Sequence, residues 1–355
     1  MPIHRFTASN FRCLENIELS VDANYNLVYG ANASGKTSIL EALGYLGRGK
    51  SFRGAATGEL IRHGQRDFVL FGEVSAGETL AKVGVRNGSG GLEVRIDGLQ
   101  DGGAAALATA LPLQVIDPDV HELVAGAPER RRRYLDWLAF HVEHGYLDAW
   151  RRFRRALKQR NAALRSGAAA ATIQGWNAQF AEQAARIDEG RRLALEAAMP
   201  SLEETGRALL GSEVGFAYQP GWNVERGLVQ ALEEGIERDR QQGSTQYGPQ
   251  RADLKLVYAA RRAQRLVSRG QQKLLACAMV LAATDTVQTV LERPLLLLLD
   301  DPAAELDRDA LERLMHRVIG LGSQIVATSL EPDVPLFPQE PAVFHVEHGV
   351  LQRRA

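Results

Sequence analysis

Between residues 3 and about 99, apolar and polar side chains alternate with a period of two, the pattern of half-buried strands. Val28 and Tyr29 lie in a short apolar run, and Leu92, Val94 and Ile96 share one face ahead of an Asp97-Gly98 turn. The chain therefore opens with a hairpin-rich sheet. One helix interrupts it, because Ile39, Leu40, Leu43 and Leu46 recur at helical spacing over 38–46, directly after a glycine-rich stretch. From residue 118 to about 210 the alternation disappears and Ala, Arg, Leu and Glu dominate, which predicts helices. Here Ile173, Trp176, Phe180 and Ile187 fall on one helical stripe, and Ser201 with Glu204, behind Pro200, reads as a capping box that opens a further helix. After Tyr247 the α/β pattern returns, with a helix over 269–292, a strand over 295–299, a helix over 308–319 and a strand over 324–327.

The first and last thirds thus read as one α/β body split by an insertion: residues 1–116, a helical lobe over 117–246, and 247–355 completing the body. No internal repeat at solenoid periods is present. The longest unbroken apolar run, 274–283, is shorter than a membrane span, and the opening residues lack the apolar region of a secretory leader. The expected address is the cytoplasm, with no membrane partner. Cys13 and Cys277 offer neither a disulfide framework nor a CxxC pair and are read as small buried hydrophobes. With 42 Lys and Arg against 43 Asp and Glu, the chain as a whole attracts neither nucleic acid nor an anionic membrane, so such a partner needs a local patch.

Candidate chemistry begins where the strand over 26–29 meets the first helix. Gly30-Ala31-Asn32-Ala33-Ser34-Gly35-Lys36-Thr37 is G-x-x-x-x-G-K-T in the strand–turn–helix setting that gives this pattern its meaning. Its glycines let the backbone wrap a phosphate, with N–H groups and the helix N-terminus aimed at the anion. Lys36 would reach the β- and γ-phosphates of ATP, and the Thr37 hydroxyl would ligate Mg2+. A second element, five leucines followed by Asp300-Asp301-Pro302, reads as a buried parallel strand ending in two carboxylates. A charge there sits at the ligand-binding edge of an open α/β sheet. Asp300 is the natural Mg2+ partner of Thr37, and Asp301 the group to orient and deprotonate an attacking water. Gln114 at the end of a strand over 111–115, and Thr328 after the last core strand, are either further Mg2+- or phosphate-sensing residues or ordinary strand-end polarity.

Ser268-Arg269-Gly270-Gln271 opens the long apolar helix just upstream of the Asp300 strand. A serine hydroxyl, a glycine and free N–H groups at a helix start suit a γ-phosphate. One ATP already has its own loop, so Ser268, Gly270 and Gln271 are expected to complete the nucleotide site of a second subunit. ATP would then join two copies as a homodimer.

The phosphate loop, the S-x-G-Q element, the strand ending in Asp300-Asp301 and the following Glu305-Leu306-Asp307 together resemble the ATP-binding-cassette heads of the SMC class. A closer resemblance, over nearly the whole length, is to the RecF family of bacterial recombination mediators. It is carried by Asn10-Phe11-Arg12, by residues 35–42, by Leu60-Ile61-Arg62-His63-Gly64, by Arg131-Arg132-Arg133-Tyr134-Leu135-Asp136-Trp137 and by Lys158-Gln159-Arg160-Asn161-Ala162. The resemblance implies an α/β P-loop ATPase head of ABC/SMC type with an inserted α-helical lobe. It also implies a protein that dimerises on ATP, binds duplex or gapped DNA at single-strand junctions and, with RecO and RecR, helps load RecA in replication, repair and the SOS response. Position by position, it places ATP at 30–37, the partner's site at 268–273, Mg2+ at Asp300 and catalysis at Asp301. Three departures matter. Asp301 stands where SMC heads usually carry Glu, although RecF-like chains favour Asp, and the shorter carboxylate implies slow hydrolysis. Ala304 replaces a usual Ser, and Gln250 in Gly248-Pro249-Gln250-Arg251 replaces a His.

Residues 129–160 hold ten Lys or Arg against four Asp or Glu, among them Arg130, Arg131, Arg132, Arg133, Arg151 and Arg152. Arg261, Arg265 and Arg269 recur every four residues, as on one helical face, with Arg262 beside them. Such clusters suit a phosphate backbone, and no base-reading or aromatic-stacking motif accompanies them. The other reading is a solvated arginine face or buried ion pairs; the resemblance favours DNA. A transporter ATPase subunit is disfavoured by the wide separation of Thr37 from Ser268 and by the basic helical spacer. A nucleotide-binding scaffold that does not hydrolyse ATP is a further reading. The hexapeptide over 140–145 recurs over 344–349, once in a helical and once in a strand context, and its spacing is not that of a metal site.

Overall fold

The computed structural model describes residues 2–22, 24–77, 79–100, 102–258, 261–262, 267–334 and 336–354. The chain divides into two compact units, Met1–Val120 with Glu292–Ala355, and His121–Leu291. The expected lobe over 117–246 and C-terminal half from 247 differ from this division, since residues 247–291 belong to the second unit. The reason is local. The long helix over 269–291 packs on the helix over 177–210, and the strand over 253–258 pairs with the strand over 214–219.

Among the described residues the first unit holds two six-stranded sheets. The antiparallel one comprises β1 (Ile3–Phe11), β2 (Leu14–Ser20), β4 (Asp67–Ala76), β5 (Thr79–Gly88), β6 (Gly91–Ile96) and β7 (Leu99–Gln100), in the order β2-β1-β4-β5-β6-β7. Alternate residues of β4 and β5 are buried, as their period of two requires, whereas β1 buries Ile3, Phe6, Ala8 and Phe11, with a register shift between Ile3 and Arg5. The other sheet comprises β3 (Tyr25–Tyr29), β8 (Leu113–Ile116), β12 (Leu296–Leu299), β13 (Gln324–Ser329), β14 (Ala342–Glu347) and β15 (Val350–Arg353), in the order β15-β14-β3-β13-β12-β8. It is parallel except for the terminal hairpin β14–β15. All four residues of β12 are buried, which explains why this strand reads as unbroken leucine rather than as an alternation. Helix α1 (Lys36–Arg48) buries Ile39, Leu40, Leu43 and Leu46 in the core, where Phe11, Tyr45 and Phe68 meet edge to face.

The second unit is mainly helical: α2 (Pro128–Val142), α3 (Tyr146–Arg165), α4 (Asn177–Leu210) and α5 (Arg269–Leu291), with a sheet of β9 (Val214–Gln219), β10 (Asp253–Tyr258) and β11 (Arg261–Arg262) in the order β11-β10-β9. Helix α4 runs through Pro200 without a break, so no new helix opens there. Ser201 Oγ instead donates to Asp285 Oδ2 at 2.7 Å. The expected stripe is also split: Ile173 lies in the short helix Ala170–Gln174, whereas Phe180 and Ile187 are buried in α4. Helix α5 is long and apolar enough to cross a membrane by composition, but 72% of its most apolar window is buried, as in the core helix of a folded unit. The last described helix, α6 (Arg308–Gly320), belongs to the first unit and is capped by Asp307, whose carboxylate accepts from Ala310 N at 2.8 Å. Cys277 is buried as expected, but Cys13 is exposed, on the β1–β2 turn where Asn10 and Arg12 take φ of 57° and 51°.

Candidate nucleotide site and basic surface

The phosphate loop links β3 to α1, and the terminal hairpin grips it. Gly349 N donates to Ser34 O at 2.8 Å, and a Cβ at Gly30 would fall 2.3 Å from Val346 O, so only glycine fits there. Gly35 precedes α1 with φ 119°, again a glycine conformation. Ala33 holds the left-handed region at φ 62°, and the buried Ser34 Oγ has no hydrogen-bond partner. Lys36 Nζ folds back onto Gly30 O and Ala31 O at 2.7 and 2.8 Å. Burial lowers its pKa, while the carboxylates of Asp301 and Asp300 oppose that shift. This is a curled backbone with a cation folded across it, an arrangement suited to a polyphosphate.

Strand order brings the second half of the site into place. Because β13 lies between β3 and β12, Thr37 at the start of α1 and Asp300 just past β12 flank the end of β13. Thr37 Oγ1 donates to Asp300 Oδ1 at 3.1 Å across 263 positions of sequence. Thr328, wholly buried in β13, donates to the same Oδ1 at 2.9 Å and accepts from Asp301 N at 2.9 Å. It ties the two aspartates together, which is more than ordinary strand-end polarity. Burial raises the Asp300 pKa, opposed by the hydroxyls of Thr328 and Thr37 and by the positive charge of Arg53. A buried carboxylate beside a threonine hydroxyl is a hard-oxygen pair that fits Mg2+. Asp301 has φ 48°, in the left-handed region, at a cost of about 1–2 kcal/mol, and its side chain is half-buried.

Arg53 was not visible in the sequence, because its loop carries no recognisable spacing. The loop is anchored through Ser51, whose Oγ donates to the fully buried Glu41 carboxylate at 2.5 Å and accepts from Arg53 N and Ala55 N at 3.1 and 3.2 Å. Glu41 is also paired with Arg12 Nε and Nη2. In turn, Arg12 N donates to Leu60 O and Arg62 N to Asn10 O. Three of the segments that carry the family resemblance therefore converge here.

Gln114 does not join this group. It is the second residue of β8, aligned with Leu297, and so lies about 10 Å back along the strands from Asp300. Its Oε1 accepts from Arg48 Nη2 at 3.0 Å, at the far end of α1 from the phosphate loop. Burial pushes the Arg48 pKa down to about 10, opposed by Asp117. Contrary to expectation, Gln114 is thus held away from the Thr37–Asp300 pair that would share Mg2+.

In the second unit, Ser268 and Gln271 form a capping box at the start of α5: Gln271 N donates to Ser268 Oγ at 3.3 Å, and Ser268 N to Gln271 Oε1 at 3.2 Å. Ser268 and Gln271 are exposed and Gly270 is half-buried, with open space where its Cβ would be.

The basic segment divides sharply. Arg131 is 3% exposed; it pairs with Asp253 through two nitrogens and donates to Val124 O and Gly126 O. Arg160 is fully buried against Asp239, Asn177 and Thr245. Arg132 donates to Ala252 O at 2.8 Å, and burial followed by repulsion from Arg191 lowers its pKa. Arg131 is therefore structural rather than the expected DNA contact, while Arg132 is half-buried with one nitrogen on a backbone carbonyl. Arg130, Arg133, Arg151, Arg152, Arg154, Arg155 and Lys158 remain exposed. Arg261 and Arg262 form a short strand rather than a helical face, and Arg265 lies outside the described residues. Among the described residues no group of three or more His, Cys, Asp or Glu could hold a metal, the two copies of the hexapeptide included.

The fold and this loop-to-carboxylate arrangement define a P-loop ATPase head, and comparison with known proteins narrows the class. The RecF/RecN/SMC N-terminal domain family matches residues 2–349. A "DNA replication and repair protein RecF" of Stutzerimonas stutzeri is 39% identical over 362 residues, covering 99% of this chain and 97% of the relative. The protein of the same name from Pseudomonas aeruginosa is 37% identical over 366 residues, covering 99% and 98%. A solved structure of the recombination mediator protein RecF with ATP in the RecFOR pathway superposes with a TM-score of 0.89 at 23% identity, over 100% of this chain and 98% of that one. An SMC head bound to the C-terminal winged-helix domain of ScpA superposes at 0.62 and 14% identity, over 100% and 97%. The chain belongs to the RecF family, within the wider class of ABC/SMC-type ATPase heads.

Proposed function

We propose that the chain is an ATP-dependent, DNA-binding recombination mediator. Family membership supports the reading, since the relatives are named DNA replication and repair proteins and a solved neighbour is described with ATP. The observation that carries the nucleotide part is the Thr37–Asp300 hydrogen bond, which unites the phosphate loop with the carboxylate strand.

In this reading the N–H groups of residues 30–37 cradle the phosphates of ATP, and Lys36 turns from its loop carbonyls to the β- and γ-phosphates. Thr37 and Asp300 hold Mg2+, which when bound neutralises phosphate charge. Asp301 orients the attacking water and accepts its proton, with Thr328 fixing the aspartate backbone. Ser268, Gly270 and Gln271 of a second copy close on the γ-phosphate, exchanging the capping-box bonds for bonds to the anion, so ATP makes the homodimer. Hydrolysis is slow and resets the clasp. The exposed cations of α2 and α3 hold duplex or gapped DNA by its backbone, with little sequence preference. In the cytoplasm, together with RecO and RecR, the DNA-bound dimer helps load RecA at single-strand gaps.

Light scattering with and without ATP and Mg2+ tests the clasp. The wild type is expected to double in mass with both, Lys36→Ala to remain a monomer, and Asp301→Asn to persist as the ATP-bound dimer. A wild type that stays monomeric at saturating non-hydrolysable analogue, or variants that all retain equal DNA binding, would refute the proposal.

A further inference from the structure

The second unit contains an open cleft of about 320 Å³ to which the functions proposed above give no role. One wall is the end of β9 and the turn after it, with Tyr218, Pro220, Gly221 and Trp222; the other is Arg251 and Asp253 at the entry to β10. The walls are tied closely. Gly248 N donates to Gly221 O at 3.3 Å, and a Cβ at Gly221, whose φ is 96°, would fall 2.4 Å from Gly248 O. Arg131 and Arg132 brace the second wall through Asp253 and Ala252 O.

The charge balance selects the ligand. Asp253 is already matched by the two-pronged Arg131, so its carboxylate does not make the cleft acidic. Arg251 is exposed, with its Nη2 on Gln246 Oε1, and is the cation available at the mouth. Two half-buried aromatic rings beside a guanidinium suit a planar π-face carrying an adjacent phosphate. The volume admits a single nucleotide but not a duplex, and bases within a duplex have their faces covered by their neighbours. We propose that this cleft takes one unpaired base of single-stranded DNA, with Arg251 on its phosphate. The proposal rests on the DNA-binding reading and deepens it, because it gives the protein a means of telling a gap or junction from continuous duplex.

The test uses the full chain with ATP and Mg2+ and three fluorescent DNAs: a blunt duplex, a gapped duplex, and the same gapped duplex with abasic sites in the gap. The wild type should bind the gapped DNA more tightly than the other two. Trp222→Ala should weaken gapped-DNA binding roughly 5- to 150-fold, the range given by stacking one base, and leave the blunt duplex within twofold. Trp222→Phe should recover most of the loss, and Arg251→Gln should flatten the salt dependence on gapped DNA. A folded Trp222→Ala protein with unchanged gapped-DNA binding, or with equal losses on gapped and blunt DNA, overturns the proposal. So does a variant that loses only a protein partner, which would make the cleft a peptide site. A wild type that binds blunt duplex with no gain on the gap overturns the cleft alone, whereas one that binds neither overturns the DNA reading as well. Should Trp222→Ala fail to fold, 2-aminopurine placed in the gap decides with the wild-type protein: quenching on binding supports stacking, and unchanged emission overturns it.

Discussion

Replacing Thr328 by Val removes one hydroxyl and almost no volume from a wholly buried position in β13. That hydroxyl makes two hydrogen bonds of 2.9 Å, one to the Asp300 carboxylate and one from Asp301 N. A bond to a charged group contributes about 1.5–3 kcal/mol and a neutral one about 1 kcal/mol, so the variant should lose about 2.5–4 kcal/mol of stability. For a unit of this size each kcal/mol lowers Tm by roughly 2–4 °C, which places the expected fall at roughly 5–16 °C. Thermal melting of the purified chain reads it, with Thr328→Ser, which keeps the hydroxyl, as the control. Nucleotide affinity should change little, since the loop over 30–37 is untouched, while hydrolysis should fall about tenfold or more as the aspartates loosen. The pH dependence has a definite sign. Burial already raises the Asp300 pKa above 3.8, so the ionised carboxylate weakens the native state at neutral pH, and the penalty fades as pH falls through the raised value. Losing a donor raises it further, so the gap between variant and wild type should narrow in acid. A Thr328→Val protein that melts within 2 °C of wild type at neutral pH would refute this account.

Asp300→Asn should keep its threonine partners yet shed the cost of a buried charge; the expected result is a higher Tm without nucleotide and no Mg2+-dependent hydrolysis, read by melting and phosphate release. Arg131→Ala should destabilise the second unit by about 1–3 kcal/mol in urea unfolding, because it removes a buried guanidinium and leaves the partly buried Asp253 without its ion-pair partner. Arg133→Ala, exposed and joined only to Glu129 among the ion pairs described, should cost no more than about 0.5 kcal/mol and reduce the salt slope of DNA binding by roughly one. Gly30→Ala would press a methyl group into Val346 O and should abolish ATP binding measured by calorimetry, although the remaining loop residues are intact.

The run of arginines shows what could be read from the sequence and what was misread. Arg131 shares a helical stripe with Tyr134, Leu135 and Leu138, and Arg160 one with Phe153, Ala156 and Leu164, all buried. Counting charge alone put Arg131 on DNA; the same 3.6-residue period that found the helices would have turned it inward. The phosphate loop and Asp300 were legible because spacing and flanking elements define them locally. Thr328 and Arg53 were not, because their roles depend on strand order and on a loop anchored by Glu41. Gln114 was misplaced because the strand runs on to Ile116, beyond the end its apolar pattern suggested, which sets the residue inside the sheet. Trp222 shows no periodic signal at all; its partner Arg251 comes from a different part of the chain.

The phosphate cradle is finished by the chain's final hairpin. Residues 30–37 leave the ribosome early, but Val346 and Gly349, which wall and fasten them, follow some three hundred residues later. A nascent polypeptide therefore carries an unformed pocket throughout most of its synthesis. If the loop over 30–37 is the nucleotide cradle proposed above, a chain ending before β14 should lack its wall and its fastening, and should bind nucleotide far more weakly than the full chain.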